Sequence, residues 1–267
     1  MNFRTLLLAS AAVMVAGAAS AKDIADFTNP FYLPAEGKVL SDTRFSYSRS
    51  HNDTEEGSED MYASEEVTVG LGNGFAITGR IGNTFDEEGE FNNDHNFDYA
   101  VGVKYNHDFG KVLTQVGASF SAYDPQSFYG QAYGEEEEYN NRWNKEMGAY
   151  VTVGYDAGCM TPYTKFAVEG DIDTDNNEQE YTWSLGVHKT WEKASADVSV
   201  NYIFSEIEDE EIEGDNKVEE FNLNGEVNYF VKENVALGVY GSYYLGGDNR
   251  KDTDYDYEAG LSARVLF

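Results

Sequence analysis

The chain has 267 residues, with 49 acidic against 18 basic side chains and a formal net charge of -31. Nucleic acid is excluded as a partner, because a phosphate backbone demands a basic patch. One cysteine, Cys159, excludes an intramolecular disulfide, and mean hydropathy of -0.56 excludes a bundle of membrane-spanning helices.

Residues 1–21 read as a secretory signal peptide. Arg4 gives the positive start, Leu6 to Ala16 the apolar run, and Ala19-Ser20-Ala21 the small-residue cleavage site. That run is too short for a bilayer-spanning helix, which needs about 20 apolar residues. Lys22 is then the mature N-terminus, and residues 22–37, with Pro30 and Pro34, form a periplasmic lead-in without alternation.

From Lys38 onward the pattern has period two. Phe45 and Tyr47 belong to the first run, Val67, Val69 and Leu71 to the second, and Phe75, Ile77 and Ile81 to the third. Phe97 to Tyr105, Val116 to Phe120, Trp143 to Tyr155, Thr164 to Val168, and Tyr181 to Val187 continue it. Ala196 to Phe204, Phe221 to Tyr229, Val235 to Tyr243 and the terminal run bring the total to about 12 strands, each near the roughly 9–11 residues that a tilted membrane strand needs. Alternation places one residue set on each face of a strand. Polar side chains fill the second set, including Arg44, Arg80, Lys104, Asp197, Glu220, Glu226 and Arg264.

The connections alternate in length. Residues 51–60, 86–95, 124–142, 171–180, 206–217 and 246–253 are long, and they hold 29 of the 49 acidic residues. Those between are short. Aromatics cluster at strand ends, where interfacial girdles belong. A soluble antiparallel barrel or sandwich also alternates, but long/short loops, a signal peptide and uniform strands favour a membrane barrel.

The last strand runs Tyr255, Tyr257, Ala259, Leu261, Ala263, Val265, Phe267 on one face, and the chain ends on its aromatic. It resembles the closing strand of Gram-negative outer-membrane β-barrels, although Val265 stands where a second aromatic is common. The resemblance implies an all-β, antiparallel up-and-down barrel over residues 38–267 in the cell outer membrane. Its turns would be short and periplasmic, its acidic loops long and extracellular. It also implies an assembly signal at Phe267, Val265 and Tyr257, read by the barrel-assembly machinery.

The expected function is a narrow, monomeric porin-like channel for small polar or cationic solutes. The expected constriction sets Arg80 and Lys104, flanked by Arg44 and Arg264, against Asp197, Glu220 and Glu226. The alternative is a sealed surface barrel whose loops bind divalent cations, lipopolysaccharide or a partner. No cofactor is expected beyond Ca2+ or Mg2+ on the external loops. Asp171, Asp173, Asp175 and Glu178 have the alternating oxygens of a calcium loop, without the glycine at the sixth position. An enzyme is not expected: no zinc spacing or nucleotide motif exists, and His51 and His95 with Asp53 and Asp94 are the only catalytic candidates.

Two outcomes follow. Phe267→Ala or deletion of Phe267 lowers the amount of assembled barrel, read as heat-modifiable migration on a gel; normal folded levels contradict the terminal signal. Millimolar calcium or magnesium raises the melting temperature at matched ionic strength, because divalent ions screen and bridge like charges. Equal melting with chelator leaves the loops merely solvated.

Overall fold

The computed structural model describes residues 27–50, 59–85, 97–123, 144–172, 177–208, 217–247 and 255–267. The signal peptide, His51, His95, Asp53, Asp94, Asp173 and Asp175 lie outside the described residues, as does most of each long connection. The side chains of Asp171 and Glu178 lie outside them too.

Twelve strands follow in chain order: β1 (Val39–Ser50), β2 (Glu59–Gly72), β3 (Phe75–Phe85), β4 (Phe97–Phe109), β5 (Val112–Tyr123) and β6 (Asn144–Tyr155). The second half holds β7 (Thr161–Asp171), β8 (Asn177–Trp191), β9 (Ala194–Glu208), β10 (Lys217–Lys232), β11 (Val235–Gly246) and β12 (Tyr255–Leu266). Each pairs antiparallel with its sequence neighbours, and β1 pairs with β12 to close the barrel. The architecture is the all-antiparallel barrel read from the alternation. Strands run from 11 to 16 residues, longer than the expected 9–11. The ladder continues past the apolar band, since paired backbone is as well satisfied in water as in lipid.

Short turns are set by local chemistry. Asn73 and Gly74, with φ of 52° and 80°, link β2 to β3. Two successive positive φ values define a type I′ turn, whose twist matches the flanking strands, and Asn-Gly is its preferred pair. Gly110, at φ 72°, opens the Gly110-Lys111 turn between β4 and β5.

The register places apolar residues outward. Val101 and Val239 are 54% and 56% exposed, and Leu261 is 60% exposed. This is the inverse of a soluble core, and among the described residues the barrel has few buried apolar side chains. Aromatics ring both ends. Phe75 and Tyr105 stack at 4.5 Å between centroids near the short turns. Tyr47 meets Tyr257 at 6.3 Å near the long loops. The Phe267 backbone N–H donates to Val39 at 2.8 Å and tightens the β1–β12 seam. Val265 is buried, and Tyr257 is half exposed at the opposite rim.

The lead-in has a place that its lack of alternation did not specify. Residues 27–34 turn into the short-turn end of the barrel. Phe27, Thr28 and Phe31 are buried. Phe27 packs with Phe230, Ala236 and Leu266, which face inward at the short-turn ends of β10, β11 and β12. The reason is hydrophobic: those three inward positions are apolar amid a polar lining, and the aromatic rings of the lead-in cover them.

Inward tyrosines lie against glycines of the adjacent strand. Tyr150 sits opposite Gly117, Tyr163 opposite Gly186 and Tyr240 opposite Gly260. A Cβ at any of these glycines would collide with the facing ring. The bare backbone lets each ring lie flat on the wall. Gly117→Val is expected to destabilise the folded barrel by about 1–3 kcal/mol through overpacking. The control is Gly79→Val, where a Cβ meets nothing within 4 Å. Urea unfolding in detergent measures both, and equal stability of the two variants contradicts the packing argument.

Candidate functional site: the barrel lumen

The inward faces of the strands converge on two adjoining cavities. One, of 500 Å³, is lined by Asp42, Arg44, Glu66, Arg80, Asp197, Glu226 and Glu258, with Tyr62 and Tyr240. The other, of 690 Å³, is lined by Arg44, Glu66, Arg80, Lys104, Lys165 and Glu169, with Tyr150 and Tyr163. Arg44, Glu66, Arg80 and Asn224 line both, so the cavities are compartments of one lumen.

The lining charges are tied together at short range. Register sets Asp42 beside Arg264 across the closing seam. Arg264 Nε donates to Asp42 Oδ2 at 2.9 Å, and its Nη2 reaches Glu226 Oε1 at 2.9 Å. Arg44 Nη2 lies 3.1 Å from Asp42 Oδ2 and 3.5 Å from Glu226 Oε2. These four charges form one network spanning β1, β12 and β10. Arg264 is nearly enclosed, so the network offsets the cost of removing its charge from water. Deleting one partner from such a network typically costs about 3–5 kcal/mol. The Arg44 guanidinium also lies 5.1 Å from the Tyr240 ring centre.

The other predicted lining residues sit in smaller groups. Arg80 Nη2 is 3.1 Å from Asp98 Oδ1, and Tyr62 donates to the second oxygen of that carboxylate at 2.8 Å. Lys104 Nζ is 3.0 Å from Glu66 Oε1. Asp197 Oδ1 accepts from Tyr163 at 2.7 Å, while its Oδ2 is 3.3 Å from His188 Nδ1. Glu220 is buried, takes a 3.5 Å hydrogen bond from Asn222, and borders neither cavity.

A basic wall facing an acidic wall is therefore not the arrangement found. Arg44 and Arg264 do not join Arg80 and Lys104; they clamp Asp42 and Glu226. The closed ring places opposite charges on adjacent or next-but-one strands, as with Arg80–Asp98 and Lys104–Glu66, and attraction at about 3 Å outweighs any cross-lumen field. An asymmetry survives at longer range. The smaller cavity has five carboxylates and two arginines, whereas the larger has four cations and two carboxylates.

Lys165, inward-facing by parity but given no part in the expected constriction, lines the larger cavity. Its Nζ lies 4.9 Å from the Tyr150 ring centre. No carboxylate lies within ion-pair distance of it among the described residues. The signal was present in the sequence: a lysine on the inward set of the seventh run. No group of three His, Cys, Asp or Glu side chains suited to a metal ion occurs among the described residues.

No protein-family model matches the chain, and no curated protein matches it by sequence. Solved structures do match it in fold. An outer membrane channel from Pseudomonas putida F1 superposes with a TM-score of 0.65 at 10% identity, covering 90% of this chain and 98% of that one. The NanC porin gives 0.58 at 12% identity, covering 84% and 98%. The KdgM porin, in a complex with disordered oligogalacturonate, gives 0.51 at 10% identity, covering 85% and 99%. At these identities the likeness is one of fold: this closed barrel of 12 strands is folded as outer-membrane channels and porins are folded.

Proposed function

We propose that the protein is a narrow porin-like channel of the Gram-negative outer membrane, passing small polar solutes with a preference for cations. The observation that carries this reading is the polar lumen. Tyrosines flattened on glycines leave two joined cavities of 500 and 690 Å³ lined by charge, which suits water and ions rather than a packed core. The outward apolar band between two aromatic rims supports a place in the bilayer. The fold likeness to channels points the same way. No enzymatic role enters the reading.

Cation preference rests on charge balance. Six carboxylates and four cations line the two cavities, and the six long segments read from the sequence, which the proposal gathers at the extracellular mouth, carry 29 acidic residues. Such a mouth concentrates cations. Divalent ions and lipopolysaccharide are the proposed partners of those loops, and the barrel is proposed to act as a monomer. The second reading, a sealed surface barrel, is favoured by one observation: residues 27–34 occupy the short-turn end of the lumen.

Planar-bilayer recording tests the channel. Purified protein is expected to conduct, with a reversal potential in a salt gradient that favours cations. Glu258→Gln is expected to reduce that preference, because Glu258 borders the smaller cavity and forms no ion pair among the described residues. Lys165→Gln is expected to increase it. Anion selectivity in the wild-type protein contradicts the charge argument.

A further inference from the structure

We propose that residues 27–34 are a built-in plug that closes the periplasmic mouth of the barrel and leaves its seat to open the channel. This rests on the channel reading above. Three observations carry it.

The first is that the segment crosses the whole mouth. Asn106 on β4 donates its side-chain amide to the carbonyl of Phe31. At the other end Phe27 meets Phe230 on β10 edge-on, with ring centres 5.6 Å apart. Strands β4 and β10 are six apart in a ring of twelve, so the segment's contacts reach opposite sides of the ring. Pro30 forms part of the floor of the larger cavity. The lumen is a cup whose base is this segment.

The second is that the seat is shaped for it. Gly154 on β6 faces the Phe31 ring, and a Cβ there would lie 2.6 Å from two ring carbons. A Cβ at Gly70 on β2 would collide with the Pro34 and Ala35 carbonyls. The glycines open room in the wall where the plug enters and where it turns back to β1.

The third is that the fastenings are few: the apolar seat under Phe27 and Phe31, and a handful of hydrogen bonds. Thr28 Oγ1 and Ser195 Oγ share a hydrogen bond of 2.7 Å. Gln115 donates to the Pro30 carbonyl at 3.1 Å while accepting from Tyr150 at 2.8 Å. Phe31 meets Tyr163 edge-on at 6.3 Å, and Tyr163 donates to Asp197. The plug thus touches the lining through Tyr150 and Tyr163, the tyrosines that flank the larger cavity. Within the described plug its backbone contributes no rung to the barrel ladder, so it can depart without breaking the sheet.

Two changes test this in full-length protein, in a Cys159→Ser background. Deleting residues 27–34 is expected to raise single-channel conductance several-fold and to lengthen openings. Thr28→Cys with Ser195→Cys places two thiols where the hydroxyls touch. Oxidation is expected to abolish conductance and reductant to restore it. Gly154→Val, which fills the Phe31 seat while keeping the plug, is expected to mimic the deletion. Heat-modifiable migration confirms that each variant is folded. Conductance that neither deletion nor the cross-link alters overturns the plug and leaves the channel standing. Absence of conductance even in the folded deletion variant overturns both.

Discussion

Everything in this protein depends on closing the backbone ladder on itself. A bilayer core offers no hydrogen bonds, so each strand N–H and C=O needs a protein partner, and a sheet achieves this only without an edge. The β1–β12 pairing supplies that last row of bonds, from Leu40 opposite Leu266 to Ser50 opposite Tyr255. Once the ring is closed, alternation sends one set of side chains to lipid and the other to the interior. The lining is a by-product of closure, and its chemistry decides whether the interior is a channel or a core.

The interior holds its shape by two devices. Charges are matched over short distances, most densely at the seam, where Asp42, Arg44, Glu226 and Arg264 hold three strands together. Aromatic bulk is kept against the wall by glycine on the neighbouring strand. Without the first, buried charge would go unpaired; without the second, the rings of Tyr150, Tyr163 and Tyr240 would fill the space. Twelve strands give a circumference between that of a side-chain-filled barrel of eight and an open porin of 16 or more. The interior is narrow enough for a single strap of chain to span it.

That strap gives the short-turn end a character unlike the rest. Ordering eight residues costs roughly 1–2 kcal/mol each in backbone entropy. Against this stand two or three buried aromatic side chains, at about 1.5–3 kcal/mol apiece, and a handful of hydrogen bonds near 1 kcal/mol each. The opposing contributions are comparable, whereas every strand is held by ladders on both sides. The strap is thus the element whose position is least secured, at the mouth that solute would cross in the proposed channel.

The sequence by itself determined the barrel. Period-two runs such as Val235 to Tyr243, turn pairs such as Asn73-Gly74, and the alternation of long and short connections are local signals, and local geometry converts them directly into strands, hairpins and faces. It also determined which side chains point inward, because facing follows from parity alone. What it did not determine was who meets whom inside. Glu226 lies 38 residues from Arg264 and 182 from Arg44, and only the stagger of the closed ring brings them together. The expectation of opposed walls came from counting strands around a circle, without the register that sets Asp98 opposite Gly82 and so within reach of Arg80. The plug was hidden for a different reason. Residues 27–34 have no periodicity, and their destination is written elsewhere, in Phe230, Ala236 and Leu266, apolar residues on the inward set, and in the glycine at 154. Those exceptions are visible in the chain, but only the tertiary structure gathers them at one end of one cavity and sets Phe27 and Phe31 upon them.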